Sequence, residues 1–118
     1  MSGRGHKGNR DYNEKGILKD VVQPFGYVSF DDKKDSLLNS RGTYEKGTDG
    51  QGWDLLFLDE YGIFFVEIKN VRPDHPSDGD LTPAELAWQY ICKAFGIPYY
   101  VVKNREEMAD VLNGRRND

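Results

Sequence analysis

Residues 53–58 (WDLLFL) and 63–69 (IFFVEIK) are two runs of large apolar side chains, separated by the turn-like tetrapeptide DEYG at 59–62. Each run is too short for a typical helix and is dominated by Leu, Ile, Val and Phe, so both read as strands. Leu56, Leu58, Ile63 and Phe65 fall on one face, and Leu55, Phe57, Phe64, Val66 and Ile68 on the other. Strands apolar on both faces belong in the middle of a sheet covered on both sides. Three charged residues, Asp54, Glu67 and Lys69, interrupt this pattern. Charges among buried side chains are costly unless they are paired or bind something.

A hairpin with Glu60 and Tyr61 at its tip pairs Asp59 with Gly62 and sets Asp54 opposite Glu67. Cross-strand partners point to the same face with Cβ atoms roughly 4.5–5.5 Å apart. Lys69, two residues beyond Glu67, shares that face. A shift of one residue would scatter the three. The expected cluster holds two acids and one base, which is either a salt bridge with a charge left over or a cation site. Replacing apolar residues by a buried ion pair brings little net stability. A Mg²⁺ ion, which takes oxygen ligands and keeps several waters, suits Asp54, Glu67 and the backbone carbonyl of Ile68. Lys69 would then be free to orient or deprotonate a bound water, or to balance developing charge.

Around the hairpin, the sequence predicts a helix over about 12–22, with Asp11 and Glu14 at capping-box spacing, and a short strand over 27–30. A further edge strand is expected around Arg41–Tyr44 inside the long loop 31–52. LTPAELAWQYICKAFG, residues 81–96, is the clearest helix: Thr82 caps it, Pro83 suits its first position, Glu85 closes a capping box and Gly96 stops it. A strand over 97–102 follows, then a last helix capped by Asn104 and Glu107 and ending at Gly114. The order α-β-(β)-β-β-α-β-α implies a mixed α/β sheet with helices on both faces. At 118 residues one domain is expected, 11–114, between a flexible basic arm (1–10) and a short tail (115–118).

The net charge of −4 argues against coating nucleic acid by bulk charge, yet it leaves room for an acidic metal site with local basic groups. Lys33, Lys34, Arg41 and Lys46 bunch in the long loop and are candidate phosphate contacts. The single cysteine, Cys92, makes no internal disulfide, and neither a leader-like segment nor a membrane-length apolar run is visible, so a cytoplasmic setting is expected.

The Asp of WD (53–54) and the EIK of 67–69 resemble the motif of the PD-(D/E)XK nuclease superfamily. The segments LTPAELAW (81–88), GIPYYVV (96–102) and NREEMADVL (104–112) are similar to those that follow the motif in its VRR-NUC branch. The resemblance covers about residues 50–112 well and 11–30 loosely. It implies a restriction-endonuclease-like fold, with Asp54 and Glu67 as ligands of Mg²⁺ or Mn²⁺ and Lys69 as the catalytic lysine. Glu85 stands where the family has Gln, and Trp53 replaces the proline of the motif. Glu14 is the candidate for an acidic residue facing the metal from the first helix, with capping as its alternative role.

The implied activity is a metal-dependent endonuclease acting on DNA, in particular on branched or structured DNA such as Holliday junctions or flaps. Symmetric cutting of a junction implies a homodimer. The alternative is a nuclease fold that binds nucleic acid or protein and has lost the chemistry.

Overall fold

The computed structural model describes residues 13–31, 38–48 and 50–117. Lys33, Lys34, the basic arm 1–10 and the capping residue Asp11 lie outside the described residues. Helix α1 covers residues 13–22, its last turn widened to π geometry over Leu18–Val22. Strands β1 (Tyr27–Ser29), β2 (Gly42–Lys46), β3 (Leu55–Asp59) and β4 (Gly62–Ile68) come next. A single 3₁₀ turn (Pro76–Gly79) leads to helix α2 (Pro83–Phe95), strand β5 (Tyr99–Val102) and helix α3 (Arg105–Asn117). This is a mixed α/β fold. Its five strands lie in sequence order; β1 runs parallel to β2, β3 is antiparallel to β2 and β4, and β5 is parallel to β4.

The hairpin register is the expected one: Asp59 pairs with Gly62, Phe57 with Phe64 and Leu55 with Val66. Phe57 and Phe64 stack with ring centroids 4.7 Å apart, and Tyr27 meets Phe57 edge-on at 5.4 Å. These rings, with Leu55, Val66, Ile68 and Val102, form one face of the sheet. Ile17, Leu18, Val21 and Val22 of α1 and Met108 and Leu112 of α3 cover it, making the main core. The end of the Arg105 side chain of α3 lies over Gly16 of α1 and bonds Asp20 (2.8 Å), tying the two helices together.

The second face departs from expectation. Near the end of the sheet that holds Glu67, Phe65 packs against Trp53 and Trp88, but Leu58 and Ile63, near the hairpin tip, are exposed. The hairpin is thus covered fully on one side and partly on the other. Helix α3 also outruns its expected stop: Gly114 lies inside it, and Arg115, assigned from sequence to the tail, belongs to the fold. Its Nη2 donates to Asp59 Oδ1 (2.6 Å) and its guanidinium lies 4.3 Å from the Phe64 ring centre. The Tyr27 hydroxyl donates to Asp59 Oδ2 at 2.7 Å. Burial alone would raise the Asp59 pKa, but Arg115, Tyr27 and the Tyr61 amide hold it below the usual carboxylate range. Among the described residues no helix is long and apolar enough to cross a membrane.

Truncating one member of a buried ion pair strands its partner, a loss of about 3–5 kcal/mol. Arg115→Ala is therefore expected to lower the unfolding free energy read from urea titration by an amount in that range, with a lower midpoint, while the paired change Arg115→Met with Asp59→Leu recovers most of it. A midpoint for Arg115→Ala within error of wild type would show that the pair carries no such role.

Candidate active site

Asp54 sits just before β3, where the ladder slips by one residue. Its amide donates to the Val66 carbonyl (3.0 Å), and its own carbonyl accepts from Gly47 N–H (2.8 Å). Such slips re-aim a side chain at the end of a strand. The Ile68 amide then donates to Asp54 Oδ2 at 2.7 Å, which fixes the carboxylate beside the C-terminal end of β4. Ile68, expected to contribute its carbonyl, thus meets Asp54 through its N–H. Glu67, buried at 1 % exposure, turns to the same face and shares a hydrogen bond with Asp54.

Lys69 follows on the same face. Its ammonium reaches Glu85 Oε1 at 2.6 Å and Glu67 Oε2 at 3.8 Å. Its closest partner is therefore Glu85 of α2, a residue the hairpin alone does not place. Glu85 also keeps its capping role: Thr82 N–H donates to Oε1 (2.8 Å), and the Thr82 hydroxyl accepts from Glu85 N–H (3.3 Å). Capping and membership of the cluster, alternatives in the sequence, are both realised.

Three carboxylates and one ammonium therefore share a nearly closed corner of the sheet. Burial, then the Asp54 charge, then Glu85 push the Glu67 carboxyl up to about 9. The surroundings of Glu67 thus favour its protonated form over the carboxylate. Burial would raise Glu85 too, but hydrogen bonds from Lys69, Glu67 and the Thr82 amide override it and keep Glu85 ionised. Burial and the charges of Glu67, Glu85 and Asp54 raise Tyr99 in turn.

Two supports of the site lie outside the expected set. The Tyr99 hydroxyl donates to the Gly52 carbonyl at 2.6 Å, tying β5 to the turn that delivers Asp54. Gly52 has φ of 94°, and a Cβ there would stand 2.7 Å from the Ala84 carbonyl and 3.1 Å from the Trp88 Cβ. Only glycine combines that backbone with so close an approach to α2. The glycine-rich TDGQG before WD was the available signal, although the contact that demands it is 32 residues away. Trp53, the departure from the motif's proline, packs against Phe65 at 5.2 Å.

The remaining candidates are dispersed. Glu14 is half-buried in α1, the helix packed on the other face; the carboxylates that act on Glu67 are Asp54 and Glu85. Arg41 precedes Gly42, which pairs with Asp59 at the far end of the sheet. Its guanidinium donates to the Leu112 carbonyl (3.3 Å) and lies over the rings of Tyr27 and Phe25. Lys46 is exposed and pairs with Leu55, at the same end as Asp54.

No group of three or more His, Cys, Asp or Glu side chains among the described residues forms a ready cage for a metal ion. A cation here would draw on the Asp54 and Glu67 carboxylates, the Ile68 carbonyl and water, an open set of the kind Mg²⁺ accepts. The donor chemistry fits, since the excess acid that a proton now neutralises is what a divalent cation would neutralise instead. Comparison with family models, curated proteins and solved structures finds no match for this chain.

The raised Glu67 carboxyl predicts a pH dependence. An acid whose pKa rises on folding, here from 4.5 to about 9, adds stability that is complete below the lower value and lost as pH climbs through the upper one. The melting temperature of the metal-free protein is expected to fall as pH rises across that window, and Glu67→Gln to flatten the slope. Equal slopes in the two proteins would show that Glu67 does not carry the proton.

Proposed function

We propose that the chain is a divalent-metal-dependent endonuclease of the PD-(D/E)XK type, similar to the VRR-NUC branch, acting on DNA and in particular on branched or structured DNA. The observation that carries this reading is the meeting of Asp54, Glu67 and Lys69 at one corner of the sheet, Asp54 reaching it through the one-residue slip before β3 and not through a ladder pair with Glu67. The α1–β1–β2–β3–β4–α2–β5–α3 succession, with helices on both faces, is compatible with a restriction-endonuclease-like core.

In this reading Asp54, Glu67 and the Ile68 carbonyl hold Mg²⁺ or Mn²⁺. When bound, the cation polarises a phosphoryl oxygen and lowers the pKa of a coordinated water. Asp54 is aimed for this by the Ile68 amide, and Glu67 must give up its proton, so affinity for the metal rises with pH. Lys69 orients the attacking water and balances the charge that grows on the phosphate. Glu85 holds the ammonium in place from the helix side, a part that the amide of the family's Gln would fill differently. Lys46 supplies a phosphate contact that positions the strand, as do Lys33 and Lys34, which lie outside the described residues.

One observation favours a second reading, a nuclease fold retained for binding without catalysis. The Lys69–Glu85 pair at 2.6 Å occupies the ammonium that catalysis needs. The two readings separate on cleavage of labelled four-way junctions, flaps and linear duplexes with Mg²⁺ or Mn²⁺. The wild type is expected to cut at least one of them, and Lys69→Ala to slow that cut by about 10²–10⁴-fold. Absence of cutting by the wild type on every substrate would remove the nuclease reading. Calorimetric titration with Mn²⁺ is expected to give a binding heat that Asp54→Asn abolishes; a heat unchanged by that substitution would place any metal elsewhere.

A further inference from the structure

The segment between Lys69 and Thr82 begins and ends in the acidic corner. The Lys69 amide donates to the Val102 carbonyl (2.8 Å) while its ammonium reaches Glu85, and the Thr82 amide donates to that same Glu85. Between these roots the chain is folded on itself. The Arg72 guanidinium forks onto Asp78, Nε to Oδ2 at 2.6 Å and Nη2 to Oδ1 at 2.9 Å, and the Arg72 amide donates to Oδ2 as well (3.1 Å). His75 N–H donates to the Arg72 carbonyl, Asp78 N–H to the His75 carbonyl and Asp80 N–H to the Ser77 carbonyl, each at 3.0 Å, so one turn follows another. Pro73 and Pro76 fix the backbone at two further positions. Residues 72–77 are all exposed, so this fixed loop stands out from the end of the sheet that holds the corner.

The charge of the loop is one-sided. Arg72 is matched by Asp78, whereas Asp74 and Asp80, both exposed, have no ion-pair partner among the described residues. The other borders of the corner differ. Strand β2 ends beside it with Glu45 and Lys46, one of each sign, and the exposed side of α2 carries a single charge, Lys93. Acid in excess therefore lies on the loop side.

We propose that Asp74 and Asp80, held out on this loop, are specificity-determining residues: they keep a continuous duplex from passing the corner on that side, and so favour DNA whose duplex stops or branches beside the phosphate held there. The inference rests on the reading that the corner receives DNA, and it requires no cleavage. A duplex carries one negative charge per about 1.7 Å of its axis. Its persistence length of about 50 nm makes bending around a fixed obstacle costly. A duplex that continued past the loop would therefore hold its phosphates against two carboxylates. The repulsion reaches about one Debye length, about 8 Å at physiological salt, so it acts on the stretch beside the loop and leaves the rest of the substrate alone. A single strand, or an arm that departs at a branch, swings clear. The Arg72–Asp78 clasp is what makes the repulsion selective, because a slack tether would move aside with its charges.

Fluorescence anisotropy tests this with the full chain, a labelled flap, a four-way junction and a linear duplex of equal length, and Ca²⁺ as the oxygen-seeking cation. The wild type is expected to bind the flap and the junction more tightly than the linear duplex, with a gap that narrows as salt rises. Asp74→Asn with Asp80→Asn is expected to tighten duplex binding by about threefold or more and to leave flap binding unchanged. Glu60→Gln with Asp110→Asn removes the same charge from exposed positions at the hairpin tip and on α3, and is expected to keep the wild-type ratio. Equal wild-type affinity for all three DNAs, a ratio unmoved by the loop variant, or a ratio moved as far by the control would overturn the proposal. The expected binding preference without any cleavage in Mg²⁺ would remove the nuclease reading and leave this inference standing, whereas no binding to any of the three would remove both.

Discussion

The register of the β3–β4 hairpin is the constraint from which the candidate site follows. A two-residue tip fixes which residues face each other along both strands. The pairing that stacks Phe57 on Phe64 carries the strands to the end where Glu67 lies, and the one-residue slip before Leu55 brings Asp54 to it. Moving the register by one residue would place Phe57 and Phe64 on the wrong side of the sheet and empty the main core. The core therefore enforces the acidic cluster: the apolar pairs hold together two carboxylates that would otherwise separate.

The two ends of this hairpin treat a buried acid in opposite ways. Asp59, near the tip, accepts from Arg115, Tyr27 and the Tyr61 amide, and its pKa falls. Glu67, at the other end, meets two more carboxylates, and its pKa rises. Burial acts in the same direction on both, so the partners decide the difference. An acid with its own guanidinium is a structural element. An acid crowded by others, with one ammonium already committed to a neighbour, has a capacity for positive charge that the fold leaves to something else. This contrast within one element is the physical ground for reading one end as scaffold and the other as a site.

Much of this was legible in the chain itself, because hairpin register and helix capping are local. The turn DEYG, the alternation within the two runs, and the Thr82–Glu85 box each depend on residues within a few positions of one another, and each is found as read. What the sequence did not disclose depends on distant contacts. Arg115 reaches Asp59 across 56 residues, Tyr99 reaches Gly52 across 47, and Arg41 turns inward because Leu112 and Tyr27 are there to receive it. The alternating apolar pattern also over-reads burial. Leu58 and Ile63 fit a covered face by periodicity, but α2 shields only part of that face. Periodicity shows which side a residue takes, whereas the position of the covering helix decides whether that side is dry.

A single oxygen atom joins two parts of the molecule that are usually separate. Glu85 Oε1 accepts from Thr82 N–H at the start of α2 and from the Lys69 ammonium at the end of the sheet. The first turn of the helix and the charge balance of the acidic corner are thus one equilibrium. Whatever draws Lys69 toward another anion leaves the helix start with the whole of that oxygen, and whatever frays the helix start frees Lys69. Protection of the Thr82 amide against hydrogen exchange is consequently a gauge of where the Lys69 ammonium spends its time, readable without a substrate.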